Sequence, residues 1–468
     1  MSKLSQSPKR RKSHQRKELP QDIPKVDVLK QININAAGLD IGDDEIYAAV
    51  PEGRDKESVR VFGTFTVNLN SLADWLEACE VTTVAMESTG IYWISIYEIL
   101  EARGFQVYLV NAKHIKNVTG KKTDILDCQW IQQLHTYGLL RASFRPPDDI
   151  AALRSLVRHR ANLIRSVSAE IQHMQKALQL MNLKLTNVVS DITGLTGMCI
   201  IRDIISVVHD PETLAKHRDS RCAKGRDEIA LSLQGNYKAE HLFELKQSLE
   251  AYDFYQGQIR RCDEQIEGIY NAFQPQVNIN ERPLPSSRKK RRKPKDNEPD
   301  FDLRSYLYQI AGVDLTEIDG VNSLTAQVVL SEIGTDMSKW ATVKHFTSWL
   351  GLCPHNDKTG GKVIRTCTHK TQNRASAALR MAASALSHSH SALGGYYRRM
   401  RAKLGSPEAV TATAHKLARI IYAMLKDQTE YHDPGEGHYE EQARQRAIKN
   451  LKHKANQLGF RLIEVTAP

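Results

Sequence analysis

Cysteine is scarce and never closely paired: seven are scattered through 468 residues, with no C-x-x-C among them. That spacing argues against a zinc site and against a disulfide framework, and it fits a reducing compartment. Long apolar runs are missing too. No stretch approaches the ~20 residues of a membrane-spanning helix, and the basic, polar N-terminus carries no apolar leader. A soluble cytoplasmic protein without membrane contact is expected. Acid is in short supply relative to base: 65 Lys and Arg stand against 54 Asp and Glu, for a net charge of +11. The imbalance is local. Residues 1–30 hold nine bases and three acids, and residues 281–300 hold eight and four. Such runs suit an acidic partner, of which nucleic acid is the commonest. A solvated, disordered tail would explain them equally well.

What is present falls into segments. Residues 1–32 read as a disordered basic tail. From 33 to 146 strand and helix patterns alternate. Ala36–Gly42, Glu45–Val50 and Val59–Thr66 read as strands. A helix follows over Leu69–Cys79, then a short apolar strand over Val81–Met86. Next come a helix over Tyr92–Ala102, a strand over Phe105–Val110 and a last helix after a basic loop. Three meandering strands followed by alternation predict a mixed sheet with helices on its faces. Residues 147–274 contain two long amphipathic helices, 147–180 and 240–272, able to pair as an antiparallel coil or to build a dimer. On the first, Arg154, Arg158, Arg160 and Arg165 form a basic face. Residues 275–300 are a basic linker centred on Arg288–Lys295. Residues 301–428 form a further, mainly α, domain, and 429–468 a polar helical tail.

Chemistry is written in the acids. Asp124 and Asp127 follow the basic turn Lys121-Lys122 and open a helix. At i and i+3 they share a face, and two converging carboxylates repel unless a cation lies between them. A hard divalent cation such as Mg²⁺ suits that arrangement. Asp40 ends the first strand and Glu87 the fourth. In α/β sheets the working groups collect at the carboxyl ends of strands. The four acids are therefore expected to meet at one edge, in a ribonuclease-H-like arrangement that places two Mg²⁺ ions for phosphodiester chemistry. Taken singly, Asp40 also reads as a turn carboxylate, Glu87 as a helix N-terminal acid, and the Asp124/Asp127 pair as a solvated helix start.

Farther along, Ile318-Asp-Gly-Val-Asn322 precedes a helix. Gly320 marks it either as a phosphate-binding hairpin between helices or as an ordinary αα-turn. Cys353–Lys362 reads as a polar loop in which Gly360 and Gly361 let the backbone approach a phosphate. Thr359 offers a hydroxyl, and Lys362, Arg365, His369, Lys370, Arg374 and Arg380 are candidate phosphate contacts nearby.

Together these motifs resemble a known family. Gly38-Leu-Asp-Ile-Gly42, Met86-Glu-Ser-Thr-Gly-Ile-Tyr-Trp93, the run His114–Asp127, Ile318-Asp-Gly-Val321, and Gly351-Leu-Cys-Pro354 with Gly360-Gly-Lys362 are similar to those of the DEDD transposases of bacterial insertion sequences, the one-hundred-and-ten group. The resemblance extends from about residue 33 to 465. It implies an α/β RNase H-like (RuvC-like) domain that binds Mg²⁺ through Asp40, Glu87, Asp124 and Asp127. A long helical segment and a C-terminal transposase domain with a nucleophilic serine would follow. It further implies DNA partners (element ends and target), an element-encoded guide RNA, a homodimer or tetramer, and a nucleoid-associated setting. The chain departs from the pattern at one position: Thr359 stands where the family has serine. A threonine hydroxyl is a competent nucleophile, but its β-methyl stiffens χ1 and crowds the attack path.

Three other functions fit parts of the chain. A metal-dependent nuclease or junction resolvase needs the four acids and not Thr359. A binding protein that has lost its chemistry needs neither. An actin-like ATPase would use Gly38–Gly42 as a phosphate loop, yet no Walker-type motif accompanies it.

Overall fold

The structure, a computed structural model, describes residues 30–87, 90–111, 124–286, 297–368, 371–461 and 463; of residues 124, 125, 440 and 443 it describes the backbone only. Contacts divide the chain into two compact units that part between Arg145 and Pro146.

The first unit is a five-stranded mixed sheet in the order β3-β2-β1-β4-β5. Its strands are β1 (Ala36–Ile41), β2 (Glu45–Ala49), β3 (Val59–Gly63), β4 (Thr83–Glu87) and β5 (Gln106–Val110). β1 runs antiparallel to β2 and parallel to β4, and β4 is parallel to β5. Helices α1 (Thr66–Ala78), α2 (Trp93–Ala102) and α3 (Asp124–Thr136) complete it. The expected strand over Val59–Thr66 stops at Gly63, because Thr66 already opens α1.

Side-chain alternation sorts the two faces. Ala37, Leu39 and Ile41 of β1, with Val84 and Met86 of β4, join Leu72, Leu76, Ile96 and Leu100 in one buried core. That core lies under α1 and α2. The opposite face carries Gly38 and Asp40 on β1, and Ala85 and Glu87 on β4. Ala85 and Val110 pack there on Ile131 of α3. Each Leu, Ile, Val, Phe or Met fully buried there stabilises the unit by roughly 1.5–3 kcal/mol before entropy is charged against it.

In the second unit two long helices, α4 (Asp148–Leu180) and α8 (Ala239–Ala272), pack side by side. Leu156 and Arg160 meet Cys262 and Asp263, while Met174 and Leu178 share a core with Leu245 and Leu249. The pair is therefore antiparallel. Its far end is closed by α5 (Leu195–Ile205), α6 (Pro211–Leu214) and α7 (Arg226–Ser232). Helices α9 (Leu303–Ala311), α10 (Ser323–Ile333), α11 (Val343–Trp349), α12 (Arg374–Ala385), α13 (Ala392–Leu404), α14 (Ser406–Asp427) and α15 (His438–Gln457) follow.

The basic face of α4 is largely spent inside the unit. Arg158 holds the buried Glu332 of α10 through two bonds of 2.8 and 2.7 Å. Arg154 donates to the carbonyls of Ser331 and Glu332, and the buried Arg160 pairs with Asp263. The mainly α domain also contains a β-hairpin, β6 (Pro354–Thr359) and β7 (Lys362–Thr368), where the sequence suggested a polar loop. The turn chemistry explains it. Gly360 and Gly361 both take positive φ, +57° and +78°, as a two-residue hairpin turn requires. Among the described residues no helix is long and apolar enough to cross a membrane.

Candidate active site

Leu39 of β1 is paired with Met86 of β4 in parallel register. The next residues up the two strands are Asp40 and Glu87. They stand side by side at the carboxyl ends of neighbouring strands, about 4.8 Å apart at the backbone. Both are half-buried. Both belong to the face that α3 covers, since Gly38 and Ala85, two residues earlier, meet that helix.

The closeness of α3 depends on Gly38. A Cβ there would lie 2.3 Å from the Gln132 backbone N and 2.4 Å from the Cys128 carbonyl O, inside any permitted contact. The absence of a side chain lets helix backbone rest directly on strand backbone, so the start of α3 sits over Asp40. Sequence reading gave this glycine no role of its own. The available signal was a lone glycine within a strand, which marks a bulge or a close backbone approach.

The other end of α3 is pinned. The buried His135 meets the Thr83 hydroxyl at 2.8 Å and lies against the Tyr108 ring at 4.7 Å. Burial lowers its pKa to about 4, so it is neutral at pH 7. The backbone N–H groups of Ile32 and Asn33 donate to the Thr136 carbonyl, and the Asn33 amide donates to the His135 carbonyl at 2.7 Å. These bonds satisfy carbonyls that a helix end leaves open.

Asp124 and Asp127 occupy the first and fourth positions of α3. Asp127 is half-buried, and the side chain of Asp124 lies outside the described residues. Cys128, next to Asp127 in the chain, is buried. Its pKa is pushed up to about 12, first by burial, then by the carboxylate of Asp40 and, more weakly, that of Asp127. Asp40 on its strand thus faces the first turns of α3. Among the described residues, no three His, Cys, Asp or Glu side chains converge as a metal-holding group. The structure brings Asp40 and Glu87 together on neighbouring strands and puts Asp127 in the first turn of the helix that covers that face.

The C-terminal candidates are arranged differently. Thr359 ends β6 and is paired across the hairpin with Lys362, while Arg365 stands opposite Asp357. All four are exposed, and a Cβ on Gly360 or Gly361 would meet nothing within 4 Å. Gly320 is a packing glycine. Its φ is +84°, and a Cβ there would come within 2.7 Å of the Ala382 carbonyl of α12. Arg380 donates to the Thr411 hydroxyl at 2.6 Å. Lys121, Lys122, Arg288–Lys295, His369 and Lys370 lie outside the described residues.

Comparison with known proteins bears on both units. Residues 37–183 match a family model described as Transposase, of the DEDD IS110 type. Residues 314–398 match one described as Transposase IS116/IS110/IS902 family. No curated protein matched the chain. The first match spans all four acids, and the second spans Gly320 and the β6–β7 hairpin. The motifs, the acid pair on adjacent parallel strands and the two matches lead to one assignment: the chain belongs to the IS110 family of DEDD transposases.

Proposed function

We propose that this transposase excises and inserts its mobile element by Mg²⁺-dependent strand cleavage and transfer on an RNase H-like fold, with an element-encoded RNA selecting the DNA. The observation that carries the reading is the juxtaposition of Asp40 and Glu87 beneath a helix opened by Asp124 and Asp127.

The donor set fits the ion. Asp40, Glu87 and Asp127 offer only hard carboxylate oxygens, and Asp124 would add another; Mg²⁺ prefers such ligands. When bound there, the ion supplies charge neutralisation at the phosphate and activation of the attacking oxygen. The chain's own residues do the rest. The strands hold Asp40 and Glu87 at a fixed spacing, and the close seat of α3 on Gly38 sets Asp127 against them. On the hairpin, the Thr359 hydroxyl attacks a phosphodiester. A bond forms from Oγ1 to phosphorus, the bond to the departing sugar oxygen breaks, and the hydroxyl proton passes to solvent while that oxygen leaves as an alcohol. The covalent link keeps the bond energy for rejoining, so no nucleotide is consumed. Lys362, across the strand pair from Thr359, would hold the phosphate, with Arg365 beside it. Two or four copies would bring the DNA ends together.

A second reading, a nuclease that cuts without covalent capture, is favoured by one observation. Threonine stands where the family has serine, on an exposed hairpin whose two turn glycines have open space around them. One experiment separates the readings: excision of the parent element in cells, with circle junctions read by sequencing. Junctions formed by the natural protein and lost in Thr359→Ala support covalent transfer. Cleavage that survives Thr359→Ala but not Asp124→Ala supports the nuclease. Wild-type cleavage in Asp124→Ala would remove the metal-site assignment.

A further inference from the structure

The C-terminal helices hold a second concentration of charge, beyond the matched segment that ends at residue 398. Helix α13 packs on both α14 and α15. At their junction the rings of Tyr396 and Tyr439 meet edge to face, 5.4 Å apart. Lys416 of α14 places its ammonium 4.5 Å over the Tyr439 ring. Arg399 of α13 donates to the Tyr439 carbonyl at 2.8 Å. Arg419 and Arg446 complete the group. Burial first, then Arg419 and Arg446, hold the Lys416 pKa below the ordinary lysine value. Burial, then Arg419 and Lys416, also lower that of the neighbouring His415.

Among the described residues no carboxylate pairs with any of these four cations. The nearby described acids have other partners, although Asp433 also acts on the Tyr439 ring and Glu441 holds Arg444. Glu436 takes Arg398 and His390, and Asp433 accepts from the backbone of Ala392 and Gly435. The contrast with the rest of the unit is sharp. Arg158, Arg160 and Arg304 each hold a carboxylate. Here Lys416 and Arg399 are half-buried beside the exposed Arg419 and Arg446, and like charges gathered in this way repel one another. An anion at the junction removes that repulsion. The charge continues outward, because after Glu440 and Glu441 in its first turn α15 carries five Lys or Arg from Arg444 to Lys454 and no further acid. That length suits a polymer of phosphates better than a single ion. The half-buried Tyr–cation cluster at the junction also combines aromatic and basic groups as nucleic-acid surfaces do.

We propose that Arg399, Lys416, Arg419 and Arg446 form a nucleic-acid backbone site, extended along the basic face of α15. The site rests on the transposase reading for its ligand class but uses none of the cleavage residues. It binds phosphates without reading sequence.

The test uses the full-length chain and two labelled probes, a random-sequence DNA duplex and an RNA hairpin, with binding measured by anisotropy across a KCl series. For the Lys416→Gln/Arg419→Gln double variant, the slope of log affinity against log salt on the engaged polymer should fall by about two, close to 0.9 per lost contact on duplex DNA. Its melting temperature should hold or rise as repulsion is relieved. Lys416→Arg should keep the wild-type slope. Whichever probe shows the change identifies the polymer. Unchanged slopes on both probes would overturn the site, as would a lower melting temperature with no change in slope. Either result leaves the transposase reading intact so long as the wild type binds and Asp40-dependent cleavage persists. A wild type that binds neither polymer would overturn both.

Discussion

The acids of the first unit and the hydroxyl of the second are held in opposite ways. Asp40 and Glu87 are fixed by parallel strand register, and α3 is seated on them by a backbone contact too close for any side chain at Gly38. Thr359 sits at the end of an exposed two-stranded hairpin with open space around its turn. A lone hairpin is marginal without a partner surface. The difference teaches that strand register and a close helix seat fix the positions of Asp40 and Glu87, whereas a two-residue turn alone fixes that of Thr359; on the proposed reading, a bound partner would complete the hydroxyl's geometry. Attack geometry matters: a 1 Å misplacement can cost about 100-fold. A stiff, branched side chain at the less constrained of the two sites bears more of that risk than serine would.

The contrast can be broken by substitution. The largest effect belongs to Asp40→Asn, which should lower strand cleavage by at least about 1000-fold, on the scale of losing a principal electrostatic group. Duplex binding should stay measurable by gel shift. Cleavage within tenfold of wild type would show that Asp40 is only a turn residue. Next is Gly38→Ala. It must lift α3 and move Asp127, so about a 100-fold loss of cleavage is expected, together with a lower melting temperature. Retained activity in this variant would mean that the helix seat is not what positions the acids.

A pH series sharpens the comparison. His135 titrates near pH 4 in the fold, against about 6.5 unfolded. Its folded pKa is lowered, so its stabilising effect is complete above pH 6.5, weakens as pH falls, and stops changing below about 4. Between pH 7 and 5 the loss is about 2 kcal/mol. Calorimetry should place it in the unit that carries the acids. His135→Gln should flatten that dependence, and a wild type equally stable at pH 5 and 7 would contradict it. The smallest effect is at the hairpin. Thr359→Ser should raise excision on the order of tenfold through easier approach, with no change in melting temperature, because the side chain is exposed. A drop in stability would show that Thr359 packs against something and does not simply await a partner.

Much of this was legible in the chain. The strand alternation, both long helices and the placement of Asp40 and Glu87 at strand ends follow from periodicity and turn residues, which are local properties. Two features were read incorrectly. The reading of Cys353–Lys362 as a polar loop differs from the hairpin because β6 is polar along its length and so lacks the alternation that marks a half-buried strand. The arginines of α4 formed a basic face on paper, but Arg154 and Arg158 are consumed by Glu332, nearly 180 residues away. No local pattern announces a partner so distant.

The sequence by itself determined which residue types could do the chemistry and which elements would carry them, since both depend on neighbours a few positions apart. Tertiary structure alone decided that Leu39 pairs with Met86, that α3 rests on Gly38, and that four cations of α13, α14 and α15 gather at one junction. Register, close backbone approach and charge clustering are relations between segments that the chain keeps far apart. They acquire an energy only when folding brings those segments into contact.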